Sequence, residues 1–347
     1  MRKDKQLEKN FIESVEKGRF NFSYSSLNRM IFSPQLFYKD YILKDREIRT
    51  DKHLIEGKLL HLLLLQPEEF NKQFSMIPGK IPSEAVRRVL NEVKDNLPLP
   101  LNSGDPEVEQ NWEWEKLSLL NKEINTALKH QNLYQSMKDE AKRVAKIQTT
   151  DNEDYYRFLC TSEGKDIVDQ DMYDKALARV GIIRDNEPIN ALLTKETTDF
   201  EIDTVEIHNE AFLTCTLNDY NFGLKGFIDR YMIDHDKKTI TIIDIKTTGK
   251  TITDFPETVE FYNYWLQAAI YINLVVRNLE KDVQNYEIKF NFIVIDKYNQ
   301  VYNFPVSKDS IYKWGVGLNG ILDMADYHIK ENKYDLPYDF LTKTISL

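Results

Sequence analysis

The sequence predicts an α/β fold: a mixed central β-sheet flanked by helices, with a helical insertion. Three observations predict it. After residue 200 the apolar residues switch to period two, the pattern of half-buried strands, in FEIDTVEIH, AFLTCTL, GLKGFIDRYMI, TITIIDIKTT, EIKFNFIVID and QVYNFPV. Before it, IEGKLLHLLLLQ at residues 55–66 is apolar nearly all round, which marks a core helix. Between them, residues 78–191 are rich in Glu, Lys, Asn and Gln with helical spacing, and form the expected insertion or lid.

Length and composition bound the function. At 347 residues and 41% hydrophobic, the chain can bury a sizeable core. With 29% charged and 12% aromatic residues it is no disordered polymer. No segment approaches about 18 consecutive apolar residues. The start, MRKDKQLEKNFIESVEKGRF, has no apolar run of a secretion signal, so a cytoplasmic protein without membrane contact is expected. Cys160 and Cys215 are too few for a disulfide framework, a four-cysteine zinc site or an iron–sulfur cluster, and are expected as small buried hydrophobes. The net charge of -10 argues against a globally basic surface that coats nucleic acid, so any DNA contact must be local and aided by metal ions.

Taken in order, residues 22–43 carry two helix starts: Ser25 or Ser26 before an apolar run, then Ser33-Pro34, an N-cap with proline at the first helical position. The core helix at 55–66 is stopped by Pro67. Helical patterns follow near residues 84–95, 113–128 and 135–147, and LPLPLNSGDPEVE at 97–109 is the expected flexible connection. Beyond the strands, helices are expected at 257–279 and 310–331, the latter with Ile311, Trp314, Leu318, Leu322 and Ala325 as one apolar stripe. The expected division is 1–77, an N-terminal helical part of the core; 78–199, the insertion; and 200–347, the catalytic core with its C-terminal helix.

The chemistry concentrates in the hairpin GLKGFIDRYMIDHDKKTITIIDIKTT. Placing Asp236 and Lys237 at the turn pairs Ile233 with Ile240, Tyr231 with Ile242, and Asp229 with Asp244. Alternation then puts Asp244 and Lys246 on one face, while Ile228, Ile243 and Ile245 fill the other. Two ionised carboxylates ~4 Å apart repel by about 1 kcal/mol in water and roughly 4 kcal/mol at an effective dielectric near 20, so such a buried pair calls for a cation. Hard oxygen donors suit Mg2+ or Mn2+, and a neighbouring ammonium can neutralise developing phosphate charge. Asp, Asp and Lys are thus the parts that phosphodiester hydrolysis requires, although a lone D-x-K is more often a solvated strand edge.

Other residues add weight. Tyr264, Gln267 and Tyr271 share one helix face, while Phe261, Trp265, Ala268 and Ile272 form the other. His61 in the apolar helix needs a buried partner, and a metal would serve. Glu210, at the start of the strand before the hairpin, can add a carboxylate, or be an ordinary solvated strand end. Arg87, Arg88 and the basic stretch 138–146 are the candidate DNA-binding cations, with a solvated helix face as the plain alternative.

G-x-x-x-H (Gly57 to His61), G-x-x-D (Gly226 to Asp229), D-x-K-T (Asp244 to Thr247) and Q-x-x-x-Y (Gln267 to Tyr271), in this order, resemble the RecB-like and RecE-like branch of the PD-(D/E)XK nucleases. SYSSLNRMIFSPQLFYKDYI followed by EGKLLHLLLLQPEEF resembles the opening of the phage and prophage exonucleases related to exonuclease VIII. The resemblance covers roughly residues 20–75 and 200–300 and implies a restriction-endonuclease-like core. It implies that Asp229 and Asp244 ligate Mg2+ or Mn2+ with His61 and the Ile245 carbonyl. Lys246 would orient or help deprotonate the attacking water, Gln267 and Tyr271 would contact DNA or brace the lysine, and Glu210 corresponds to the upstream acid. A phage-encoded exonuclease acting 5' to 3' on double-stranded ends is implied, with a single-strand annealing protein as partner and a ring-shaped homo-oligomer by analogy of fold. A structure-specific or defence endonuclease and a non-catalytic DNA-binding module are the competing readings.

Overall fold

The computed structural model describes residues 2–46, 51–96, 118–196, 198, 204–279 and 285–345. Two compact units emerge: Met1–Gln66 with Arg179–Leu347, and Pro67–Ala178. Among the described residues no helix is long and apolar enough to cross a membrane. The connection expected at 97–109 lies outside the described residues.

The first unit is built on a mixed sheet of six strands: β1 (Asn21–Phe22), β4 (Val205–Thr216), β5 (Gly223–Asp234), β6 (Thr239–Thr247), β7 (Glu287–Ile295) and β8 (Val301–Pro305). The predicted register holds at Ile233 opposite Ile240 and Tyr231 opposite Ile242. The ladder ends at Arg230 opposite Ile243, so the expected pairing of Asp229 with Asp244 is not formed, because the strands part there. The turn is wider than expected, because Asp234 pairs with Thr239 and four residues intervene, with Lys238 in the left-handed region at φ 50°. β6 runs antiparallel to β5 and parallel to β7, so it is central. Its Ile240, Ile242, Ile243 and Ile245 are all buried, as a strand covered on both faces requires.

β5 is shared. One side pairs with β4 along its whole length, while the other pairs with β6 only at Arg230–Asp234 and with β1 at Gly223 and Leu224. The sheet therefore forks at Asp229, where β5 and β6 part. The runs expected as two strands, FEIDTVEIH and AFLTCTL, meet in the single strand β4 from Val205 on, with residues 200–203 outside the described residues, and Glu210 lies mid-strand rather than at a strand start. Glu210 has φ 47°, a conformation that costs a residue with a Cβ on the order of 1–3 kcal/mol. The ladder holds the same register on either side, Asn209 opposite Arg230 and Ala211 opposite Ile228. The alternation nonetheless inverts: Ile228 below the kink and Tyr231 and Ile233 above it enter the same core.

Helices pack on this frame. Tyr24–Phe32 is capped by Ser23 through a capping box with Ser26, so the cap lies two or three residues earlier than Ser25 or Ser26, and Ser26 acts as its reciprocal partner. Ser33 caps Pro34–Phe37 as its Ser-Pro pair predicts. The apolar helix spans Lys52–Leu65 and buries Leu59, Leu60, Leu62, Leu63, Leu64 and Leu65. The helix expected at 257–279 is two helices, Phe255–Phe261 and Tyr264–Arg277, broken where Asn263 takes the left-handed conformation. Phe261 consequently leaves the apolar stripe and is 73% exposed, whereas Ala268 and Ile272 are buried. Tyr264–Arg277 approaches β5 at Gly226, where an added Cβ would lie 3.0 Å from Leu274 and 3.1 Å from Tyr271. The last long helix, Lys308–Glu331, buries Leu318, Leu322 and Ala325.

The second unit holds helices Glu84–Asn96, Ser118–His130, Glu140–Ala145 and Thr150–Thr161, and its core joins Val89, Leu90, Ile124, Leu128 and Tyr156. It also contains a short parallel pair, β2 (Phe74–Met76) and β3 (Asp166–Val168), too brief to leave a sequence pattern. Cys160 is buried there, while Cys215 on β4 is only half-buried.

Candidate active site

The site forms at the fork of β5 and β6. With the β6 ladder ended at Arg230, Asp229 uses its side chain in place of its backbone: Oδ2 accepts the Ile245 N–H at 2.6 Å. Its other oxygen, Oδ1, lies 3.4 Å from His61 Nδ1, which is brought in by the Lys52–Leu65 helix. Glu210 faces Asp229 across the ladder, and its Oε1 is 3.9 Å from the same His61 nitrogen. The left-handed kink at Glu210 is thus located where its carboxylate joins those of β5 and the histidine. One ligand atom each from His61, Glu210 and Asp229 lies within 4.8 Å of the others.

Asp244 and Lys246 stand on the same face of β6, two residues apart. Asp244 is fully buried, and the Lys246 ammonium sits 2.5 Å from its Oδ2. The ammonium satisfies Oδ2, while the other oxygen, Oδ1, is buried without a donor. The ammonium also lies 4.9 Å over the Tyr264 ring, an arrangement that favours its charge. On the same helix Gln267 Nε2 donates to Tyr271 OH at 2.7 Å, and Gln267 Oε1 is left buried without a donor. Tyr271, expected on a polar face, is itself buried.

The electrostatics follow from three carboxylates and two cations in little water. Burial works against a charged His61, but Asp229 and Glu210 overcome it and hold the imidazole up at about 9. Burial, reinforced by the Asp229 charge, lifts Glu210 to about 7. Burial lifts Asp244 to about 6 in spite of the Lys246 ammonium. Burial alone would raise Asp229 too, yet His61, Lys246 and the Ile245 N–H hold it below the usual carboxylate range. For Lys246, burial is outweighed by Asp244 and Asp229, so the ammonium stays charged.

These residues fit a divalent cation. An orphaned Asp244 Oδ1, a second orphaned oxygen on Glu210 and the Asp229 carboxylate are hard oxygen donors whose negative charge the two protein cations only partly offset, and the half-buried His61 adds an imidazole nitrogen beside them. His61, Glu210 and Asp229 are the closest group, with Asp244 alongside against Lys246. Ile245 contributes its N–H to Asp229, and its side chain is buried. A cavity of about 520 Å3 opens beside them, lined by Gly57, His61, Lys246, Lys250 and Tyr264 among others.

Every residue singled out by the four motifs therefore converges in the first unit. Arg87, Arg88 and the stretch 138–146 belong to the second unit. Within that stretch Arg143 is buried, held by Gln135 and Glu140, so it is not a surface cation. Sequence reasoning missed Tyr24, whose ring lies 6.4 Å from Tyr264 and whose hydroxyl donates to the Tyr262 carbonyl. Nothing in its local pattern distinguishes it from a helix-start tyrosine.

A search of the curated proteins found no match. Among solved structures, a crystal structure from Eubacterium rectale described as a "putative exonuclease" aligns with a TM-score of 0.32 and 13% identity, covering 87% of this chain and 96% of that one. A likeness so distant carries nothing further. The model of the PD-(D/E)XK nuclease superfamily matches residues 21–314, from β1 to the last long helix, and takes in the whole fork with its carboxylates, lysine and histidine. By that match, which spans most of its length, the chain belongs to the PD-(D/E)XK nuclease superfamily.

Proposed function

We propose that the protein is a Mg2+- or Mn2+-dependent exonuclease that hydrolyses phosphodiester bonds from double-stranded DNA ends in the 5' to 3' direction. The observation that carries the hydrolytic reading is the fork itself: Asp229, Glu210 and His61 on one side and Asp244 with Lys246 on the other, around orphaned buried oxygens. His61, Glu210, Asp229 and Asp244 would hold the metal. When bound, the ion supplies Lewis-acid polarisation of a phosphoryl oxygen and a more acidic water. Lys246, kept charged by its carboxylate neighbours, orients the water and stabilises charge developing on the phosphate. Asp244 holds that ammonium in place, Tyr264 supports it from the ring side, and Gln267 presents its free Oε1 beside them.

The end-directed, phage-type reading is supported by the resemblance of residues 20–75 to the phage and prophage exonuclease group. It makes a single-strand annealing protein the expected partner and a ring-shaped homo-oligomer the expected assembly. The test is digestion of a linear duplex labelled at either the 5' or the 3' end, with Mg2+, Mn2+ or EDTA, beside Lys246→Ala and a covalently closed circle. Metal-dependent loss from the 5' end, absent in the variant and on the circle, is the expected result. Cutting of the circle would establish an endonuclease, and cleavage of neither substrate a binding module.

A further inference from the structure

An exposed strip leads away from the carboxylates along β4 and β5. Phe212 and Phe227 are direct cross-strand partners with ring centroids 4.8 Å apart, yet they are 54% and 60% exposed. They stand two residues from Glu210 and Asp229 respectively, about 7 Å along the strands. Outward positions of a half-solvated sheet normally carry polar residues, so two adjoining phenylalanines at the edge of a catalytic centre are a surface awaiting a flat apolar partner.

Lys225 and Thr214 come next in the ladder and are both exposed. Thr214 and Thr216 then line a cavity of about 550 Å3 together with Arg19 and Arg277, and no carboxylate is among its described lining residues. Arg277 makes one long contact, 3.5 Å to Asn273, and among the described residues neither arginine nor Lys225 forms an ion pair. In a chain of net charge -10, three unpaired cations beyond two exposed rings form a local attraction for anions.

We propose that this strip binds the unpaired stretch of the DNA strand that enters the active site, its bases stacking on Phe212 and Phe227 and its phosphates meeting Lys225, Arg19 and Arg277. Two exposed rings followed by a group of cations suit a strand whose unpaired bases can stack while its adjoining phosphates meet positive charge, and a paired duplex cannot offer its base faces in this way. The inference rests on the nuclease reading and specifies the form of the substrate.

The test uses the full-length Lys246→Ala protein, to prevent turnover. It measures anisotropy with a blunt duplex and with the same duplex carrying a short single-stranded overhang. Phe212→Ala with Phe227→Ala should weaken the overhang complex at least about tenfold and leave the blunt complex within about twofold. Phe227→Tyr should bind as the parent does and Phe227→Leu should not, which separates stacking from apolar bulk. Arg19→Ala with Arg277→Ala should flatten the salt dependence of overhang binding. Equal losses on both DNAs, full binding by the Leu variant, or an oligomer that dissociates on losing the phenylalanines with overhang affinity unchanged would overturn the proposal. Wild-type digestion run in parallel keeps the two readings apart. A wild type that cuts DNA while the alanine variants bind normally rejects the strip alone, and a wild type that neither cuts nor binds DNA rejects both.

Discussion

Asp229 Oδ2 accepts the Ile245 N–H at 2.6 Å, so the carboxylate closes the gap that opens where β5 and β6 separate. One side chain thereby joins the architecture of the sheet to the charge of the site. Asp229→Asn can keep the hydrogen bond through its amide oxygen but loses the negative charge beside His61. The His61 pKa should fall from about 9 in this variant, because Asp229 is the carboxylate that raises it most. An NMR titration of the imidazole reads this directly; an unchanged value would show that Glu210 alone sets it.

Lys246→Ala should retain metal binding and reduce turnover by at least ~100-fold, the usual scale for losing one preorganised charge at a developing oxyanion. Asp244→Asn should do the reverse first, weakening Mn2+ in a calorimetric titration. Metal affinity equal to wild type in Asp244→Asn would remove Asp244 from the ligand set.

Metal binding should release protons. Near pH 8, between the Glu210 value of about 7 and the His61 value of about 9, Glu210 is ionised and His61 still protonated, whereas a metal needs the neutral imidazole. Calorimetry in two buffers of different ionisation enthalpy should show close to one proton released per ion, and a smaller release in His61→Ala, where only Glu210 is left to give up a proton.

The same groups set the pH dependence of stability without metal. Glu210 and Asp244 have folded pKa values raised above their unfolded ones, so their contribution is present at low pH and is lost as pH rises through about 6 and 7. His61, also raised, loses its contribution only near pH 9. Stabilisation by Mn2+, read as the shift in Tm, should therefore grow between pH 5.5 and pH 8. A shift that shrinks over that range would contradict the carboxylate assignment.

Backbone and packing are open to test at two positions. Glu210→Gly should be more stable than Glu210→Ala by about 1 kcal/mol, since glycine adopts φ 47° without a Cβ penalty. Gly226→Ala should cost roughly 1–3 kcal/mol, because its methyl would press on Leu274 and Tyr271. Denaturant midpoints of the three variants check both.

Much of the local structure of the first unit was legible in the sequence, as were the residues on which the proposed chemistry rests. Period-two runs marked β5 and β6, and the pairing of Ile233 with Ile240 followed from alternation and turn position, because one slipped residue would turn every isoleucine to the wrong face. The Ser33-Pro34 start and the end of the apolar helix before Pro67 were legible because caps and prolines act locally. The tertiary structure alone decided how these residues meet. The fork at Asp229 arises because β1 and β6 share one side of β5, a long-range pairing with no local signature. The left-handed Glu210, the break at Asn263 that exposes Phe261, and the Tyr24–Tyr264 contact are likewise set by what packs against them. Local propensity is written in neighbours along the chain. Convergence of His61, Glu210, Asp229 and Lys246 is written in contacts between segments up to 185 residues apart, which only the folded chain brings into range.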